Sequence, residues 1–224
     1  MDRLEELHIL LERVRTCDKC RASSPYRWRF PPNQLPEIML ISETPGPYCQ
    51  DPYLDSIPDK ITENTWNFWG LVEELFGNRF RPRGDDKTRS TVYWTHYQKC
   101  SKKISTKTFG YFGVDCAERY LDCEIKLVNP KLTIALGINA SNSAGEFLVE
   151  RYHLTPSAAV ECRTGESQRL AHVKTGTFQT RGDRVYVILC HPSGARRYSR
   201  CSVFVNEYVE LIKKTQAAMS QLMP

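Results

Sequence analysis

No window of this sequence holds the roughly 18 consecutive apolar residues that a membrane-spanning helix needs, so no membrane association is expected. The opening stretch, MDRLEELHILLERVR, lacks the uncharged apolar centre of a signal peptide, and an intracellular, cytoplasmic protein is expected. There is no P-loop and no GxGxxG, which removes the two commonest phosphate-cradling glycine loops. Internal repeats and low-complexity tracts are also missing, which argues against solenoids and disordered tails. A strong charge bias is lacking too: 31 basic against 26 acidic residues leave +5, compatible with phosphate-bearing partners but weak alone. The basic residues concentrate in KCSKK at 99–103 and GARRYSR at 194–200, each directly after a strand-like segment.

What is present fits one domain. The chain of 224 residues, 41% of them hydrophobic, is long enough for a single core, and one domain is expected over residues 1–224. Leu4, Leu7, Leu11 and Val14 make a helical stripe, and a Pro-broken segment follows it. Strands are predicted at 37–42, 91–96, 131–137 and 184–190, and helices at 65–77, 114–128, within INASNSAGEFLVERY and in the final segment. The polar, Gly-rich stretch 155–183 reads as a hairpin insertion. Strands alternating with helices predict a three-layer α/β/α fold around a central, mostly parallel four-stranded sheet. In such sheets ligands bind where strand carboxyl ends open into loops, and those ends here carry ETPGP, HYQKC, LG and HPSGARR.

Nine cysteines are an odd number, and inside a cell they read as thiols or metal ligands rather than a disulfide framework. Cys17 and Cys20 form a CxxC, and Cys100 and Cys116 could close a metal site with them; the spacing alone fits zinc or a 4Fe-4S cluster. Cys49, Cys123, Cys162, Cys190 and Cys201 read as buried apolar thiols.

Taken in order, the N-terminal CxxC, ISETPGP, VYWTHYQKC, the block CAERYLDCEIKLVNPKLTIALG and ILCHPS resemble the iron-sulfur class, family 4, of the uracil-DNA glycosylase superfamily. The resemblance spans roughly residues 17–200. It implies a monofunctional DNA glycosylase of base excision repair that hydrolyses the bond between deoxyribose and uracil or a related deaminated base. It also implies Cys17, Cys20, Cys100 and Cys116 as ligands of a 4Fe-4S cluster, with zinc as the alternative, and a monomer acting on DNA.

The chemistry assigns roles within that resemblance. A flipped base must be held and read while the bond from C1' to the base breaks, leaving positive charge on the sugar and negative charge on the base. Glu43 is the candidate for the sugar side, positioning water and stabilising an oxocarbenium-like sugar. His191 is the candidate donor to the leaving base. Gly46 permits close backbone approach to the base, and Tyr53, with Phe68 as a fallback, is the candidate stacking ring. Lys102, Lys103, Ser193, Arg196, Arg197 and Arg200 are candidates for phosphate contacts.

The sequence departs from the resemblance at three points. His96 stands where relatives carry a pocket asparagine; imidazole cannot donate and accept side by side as an amide does, so uracil specificity weakens. His96 is therefore both a candidate base reader and a candidate acid, base or nucleophile at the sugar. The acidic residue expected shortly after Glu43 is replaced by Cys49 and Gln50, with Asp51 nearby. Gly194 and Ala195 stand in place of a larger apolar wedge, which favours single-stranded DNA as substrate. The alternative reading is a non-catalytic or covalently trapping protein that binds uracil-containing or single-stranded DNA.

Overall fold

The computed structural model describes residues 1–18, 23–25, 34–43, 68–76, 92–102, 115–138, 143–164 and 169–222. Helix α1 (Arg3–Arg15) starts at Asp2, whose carboxylate accepts the Glu5 N–H at 2.8 Å and so satisfies one orphan donor of the first turn. Its buried stripe is Leu7, Leu10, Leu11 and Val14; Leu4 of the expected stripe is only half-buried.

Strands β2 (Ile38–Ser42), β3 (Val92–His96) and β5 (Leu132–Leu136) are buried at every position. Continuous burial is what a parallel strand covered on both faces requires, and it explains why these runs do not alternate. With β9 (Arg184–Leu189) they form a parallel array in the order β3-β2-β5-β9. A fifth strand, β8 (Gly176–Arg181), pairs antiparallel with β9 at one edge. The four expected strands are therefore present, and the central sheet has five: part of the segment read as an insertion belongs to the sheet.

Helices pack around this sheet. They are α2 (Phe68–Phe76), α3 (Asp122–Val128) preceded by a π-helical turn Ala117–Leu121, α4 (Ala144–Arg151), the single turn α5 (Pro192–Ala195) and the C-terminal α6 (Ser202–Leu222). Asn129, at φ 53°, ends α3 in the left-handed conformation just before Pro130, an ordinary stop for a helix. Helix α6, the helix expected in the final segment, buries Phe204, Tyr208, Ile212, Thr215 and Met219 along one face. Together these elements form the expected α/β/α arrangement.

Two small antiparallel pairs lie outside the main sheet. Strand β1 (Ser23–Pro25) pairs with β4 (Cys100–Lys102), placing Pro25 opposite Cys100. Strands β6 (Ala159–Thr164) and β7 (Arg169–Lys174) form the hairpin expected within 155–183. The hairpin is covalently fastened: Cys162 and Cys201 form a disulfide with Cα atoms 5.7 Å apart. This corrects the expectation that both are isolated thiols, and the reason is spatial, since β6 packs beside the residues that precede α6.

Candidate active site at the strand-end rim

The sheet places its switch point between β2 and β5. From β2 the chain crosses to β3 on one side, while β5 lies on the other, so a crevice opens where β2 and β5 end. Glu43 follows β2 at that crevice. Its backbone is clamped by the residues after His96: Tyr97 N–H donates to Ser42 O at 2.7 Å and Gln98 N–H to Glu43 O at 2.9 Å. Register pairs Ser42 with His96, so Glu43 and His96 share one end of the sheet.

A glycine makes room for the Glu43 carboxyl. Gly137 ends β5 at φ +124°, a backbone conformation that L side chains rarely adopt, and a Cβ there would lie 1.7 Å from Glu43 Oε1. Gly145, in the first turn of α4, has a similar duty: a Cβ would meet Gly137 O at 2.3 Å, where the Gly145 N–H now donates to that oxygen at 2.8 Å. The two glycines bring the start of α4 onto the crevice, and the Ala144 N–H donates to Glu43 Oε1 at 3.4 Å. Ser143 caps the same helix by accepting the Glu146 N–H.

Burial pushes the Glu43 carboxyl up to about 7; the Ala144 N–H opposes the shift and the Glu146 charge adds to it. The carboxyl therefore changes protonation state near neutrality, where a general base is most useful.

Both candidate histidines are held neutral. His96 is 2% exposed, and burial, followed by the Lys99 charge, drives its pKa well below the ordinary range. Its ring lies 5.6 Å from that of Trp94, whose Nε1–H donates to Ser42 Oγ. His191, two residues after the end of β9, is half-buried and also shifted down by burial. Its carbonyl accepts the N–H groups of Gly194 and Ala195, fixing the turn that carries the arginines. Arg196, Arg197 and Arg200 are exposed, while Ala195 is fully buried.

Some of the expected site lies outside the described residues: Cys20, Gly46, Tyr53 and Lys103. Phe68 opens α2, Lys102 ends β4 and Ser193 lies in α5, and for these three only the backbone is described.

Sequence reasoning missed two features. Gly137 was visible only as the end of a strand. Lys99, the first residue of KCSKK, does not belong to a solvated basic surface: it is 1% exposed, and its ammonium donates to Glu124 Oε2 at 2.6 Å and Thr95 Oγ1 at 2.5 Å. Thr95 Oγ1 in turn donates to the same Glu124 oxygen at 2.7 Å. The Lys99 charge in this buried triad adds to the effect of burial in depressing the His96 pKa.

Of the expected metal ligands, Cys17, Cys100 and Cys116 are described, and none is in a disulfide. Cys17 and Cys116 border one small apolar cluster formed by Leu10, Val14 and Tyr120. The Lys99 N–H donates to Cys116 Sγ at 3.2 Å, a contact that suits a sulfur carrying negative charge. Pairing of β1 with β4 ties the segment after the CxxC to the strand of Cys100. The donor chemistry fits a thiolate-bound centre; among the described residues, however, no three His, Cys, Asp or Glu side chains are grouped so as to hold a metal ion.

The fold and rim define an α/β protein with its reactive groups gathered at the carboxyl ends of parallel strands. The family model described as the uracil DNA glycosylase superfamily matches residues 30–213, more than four-fifths of the chain, and the protein belongs to that superfamily. A comparison with curated proteins gave no match. Among the described residues no helix is long and apolar enough to cross a membrane.

Proposed function

We propose that the protein is a monofunctional DNA glycosylase that removes uracil or a related deaminated base from DNA by hydrolysis. The observation that carries this reading is Glu43, a carboxyl titrating near 7 at the switch point of the sheet, accommodated by Gly137 and facing the first turn of α4. As a carboxylate it takes a proton from water as the water oxygen bonds to C1', and its charge stabilises the cationic sugar. The electron pair of the C1'–N1 bond leaves with the base. His191, neutral and able to donate, stabilises the negative charge that builds on the base oxygen. His96, neutral and buried, offers neither the paired donor and acceptor of an amide nor an open edge, and that loss of a base reader relaxes the choice among deaminated bases.

Two observations favour hydrolysis over its rivals. Lys99 is ion-paired and buried, so its amine is not free to form a Schiff base, and no accompanying strand cleavage follows from it. Exposure of only 2% counts against His96 as the nucleophile of a covalent trap. DNA is the proposed partner, single-stranded or duplex, met by a monomer inside the cell. Gly46, Tyr53 or Phe68 would complete the base pocket, and Lys102, Lys103, Ser193, Arg196, Arg197 and Arg200 would hold phosphates.

A 4Fe-4S cluster held by Cys17, Cys20, Cys100 and Cys116 belongs to this proposal, and when bound it would tie the N-terminal segment to β4. Anaerobically purified protein should be brown and carry iron and sulfide; colourless protein containing zinc would replace the cluster with a structural zinc site. The function itself is tested with an end-labelled oligonucleotide carrying one uracil, treated with protein and then alkali. Alkali-dependent cleavage by the wild type, absent with Glu43→Gln, supports the glycosylase. A band shifted upward and stable to denaturation would establish the covalent trap instead, and retained binding without base release would establish the non-catalytic reading.

A further inference from the structure

Tyr97 carries a hydroxyl that the fold does not use. Its N–H is held by Ser42 O and its ring packs on Phe147 with centroids 5.9 Å apart, so the residue is only 3% exposed. Among the described residues, however, the hydroxyl has no hydrogen-bond partner. Leaving a buried hydroxyl unpaired costs free energy, and a ligand that brings the partner removes that cost.

The surroundings of the hydroxyl say what such a ligand would be. Tyr97 lines a cavity of about 420 Å³ beside α3 and α4, a volume suited to a small molecule. Burial first, and then the charges of Glu43, Glu150, Glu118 and Glu146, push the hydroxyl up to about 12, so it stays neutral and can accept or donate. The last three of these glutamates also line the cavity, which places the hydroxyl toward it.

Two elements supply the carboxylates at helical spacing. Glu146 and Glu150 lie four residues apart on α4, and Glu118 and Asp122 four apart where the π-helical turn runs into α3. Side chains at this spacing sit about 5–6 Å apart, and like charges there repel. Only part of that repulsion is answered within the chain. Arg151 reaches from α4 to Asp122 with bonds of 2.8 and 2.5 Å, and Lys126 joins it at 2.7 Å. Glu118 and Glu150 are exposed and have no ion pair among the described residues, and the exposed His153 completes the lining.

A single metal ion does not fit this arrangement, because among the described residues no three His, Cys, Asp or Glu side chains are grouped to hold one. Separated carboxylates suit a cation whose charges are separated too. The rings of Tyr97 and Phe147 give its methylenes an apolar wall and an ammonium an aromatic face to approach. We propose that this cavity binds a small aliphatic diammonium, its charges on the carboxylates of Glu118, Glu146 and Glu150, with one ammonium donating to the Tyr97 hydroxyl. The site is independent of the glycosylase reading and is tested without it.

The test is isothermal titration of 1,4-diaminobutane at fixed ionic strength into wild type, Tyr97→Phe and Glu150→Gln, with urea unfolding of each. Tyr97→Phe removes one unpaired atom and Glu150 is exposed, so neither substitution threatens folding. Wild type should show one saturable site, weakened about fivefold in Tyr97→Phe and about tenfold in Glu150→Gln. Its urea midpoint should rise with diamine concentration, since the ligand joins the end of β3 to α3 and α4, and magnesium chloride at the same ionic strength should not reproduce the rise. Absence of saturable binding, affinity unchanged in either variant, or displacement of the diamine by magnesium at equal ionic strength would overturn the proposal. So would a loss of stability in ligand-free Tyr97→Phe, because the hydroxyl would then serve the fold rather than a ligand.

Discussion

Glu43 carries a conflict between folding and chemistry that can be measured. Its carboxyl titrates near 7 in the folded protein against an ordinary value of 4.5, so the folded state binds a proton that the unfolded chain has already lost across that interval. Stability from this group is fully present below pH 4.5 and is lost as pH rises through about 7; the loss amounts to about 3 kcal/mol at most. Glu43→Gln keeps the shape without the charge. It should therefore raise stability by about 1–3 kcal/mol near pH 8 and leave it unchanged near pH 4, read from urea unfolding at the two pH values, while base release is lost. Equal stability of the two proteins at both pH values would show that the site does not strain the carboxylate. Gly137 belongs to the same account, because the room it leaves is the room Glu43 Oε1 occupies.

Between elements, the contact that sequence reading could least foresee is the triad of Thr95, Lys99 and Glu124, which joins the β3 end to α3. A buried ion pair is weak evidence for stability as a pair, yet removing one partner strands the other charge in the core. Lys99→Met should cost about 3–5 kcal/mol, whereas Lys99→Met with Glu124→Leu should recover most of that loss, measured as shifts in the urea midpoint. The double variant should also raise the His96 pKa, because the Lys99 charge is one of its two depressing causes, and histidine NMR titration reads this directly. If the single and double variants are equally unstable, the triad is not an isolated charge pair.

The same elements show what the sequence makes legible. Four parallel strands stood out as apolar runs because both of their faces are covered, and Glu43 and His191 stood out because each follows such a run. Strand β8 did not: GTFQTR lies at the sheet edge, half-buried to exposed, and carries neither a continuous nor an alternating apolar pattern. Lys99 looked like one more residue of a basic cluster because its partner lies 25 residues further on, and the Cys162–Cys201 pairing spans 39 residues with no local signal. Contacts of that range are decided by topology, which a local pattern cannot encode.

At the scale of the whole molecule, the parallel sheet gathers Glu43, His96, Gly137 and His191 at one end, and the hairpin and the Arg196–Arg200 loop flank that end. A cavity of about 420 Å³ beside α3 and α4 is lined by Tyr97, Glu118, Asp122, Glu146 and Glu150 together with Arg151 and His153, while exposed arginines gather beside His191.

The measurement that tests this account most directly is kcat/KM for uracil release from a single-stranded oligonucleotide as a function of pH, for wild type and Glu43→Gln. Activity should rise through an inflection near pH 7 as Glu43 ionises, and Glu43→Gln should lose about 10²-fold or more and show no such inflection. Activity independent of pH across this range in the wild type, or undiminished in Glu43→Gln, would contradict it.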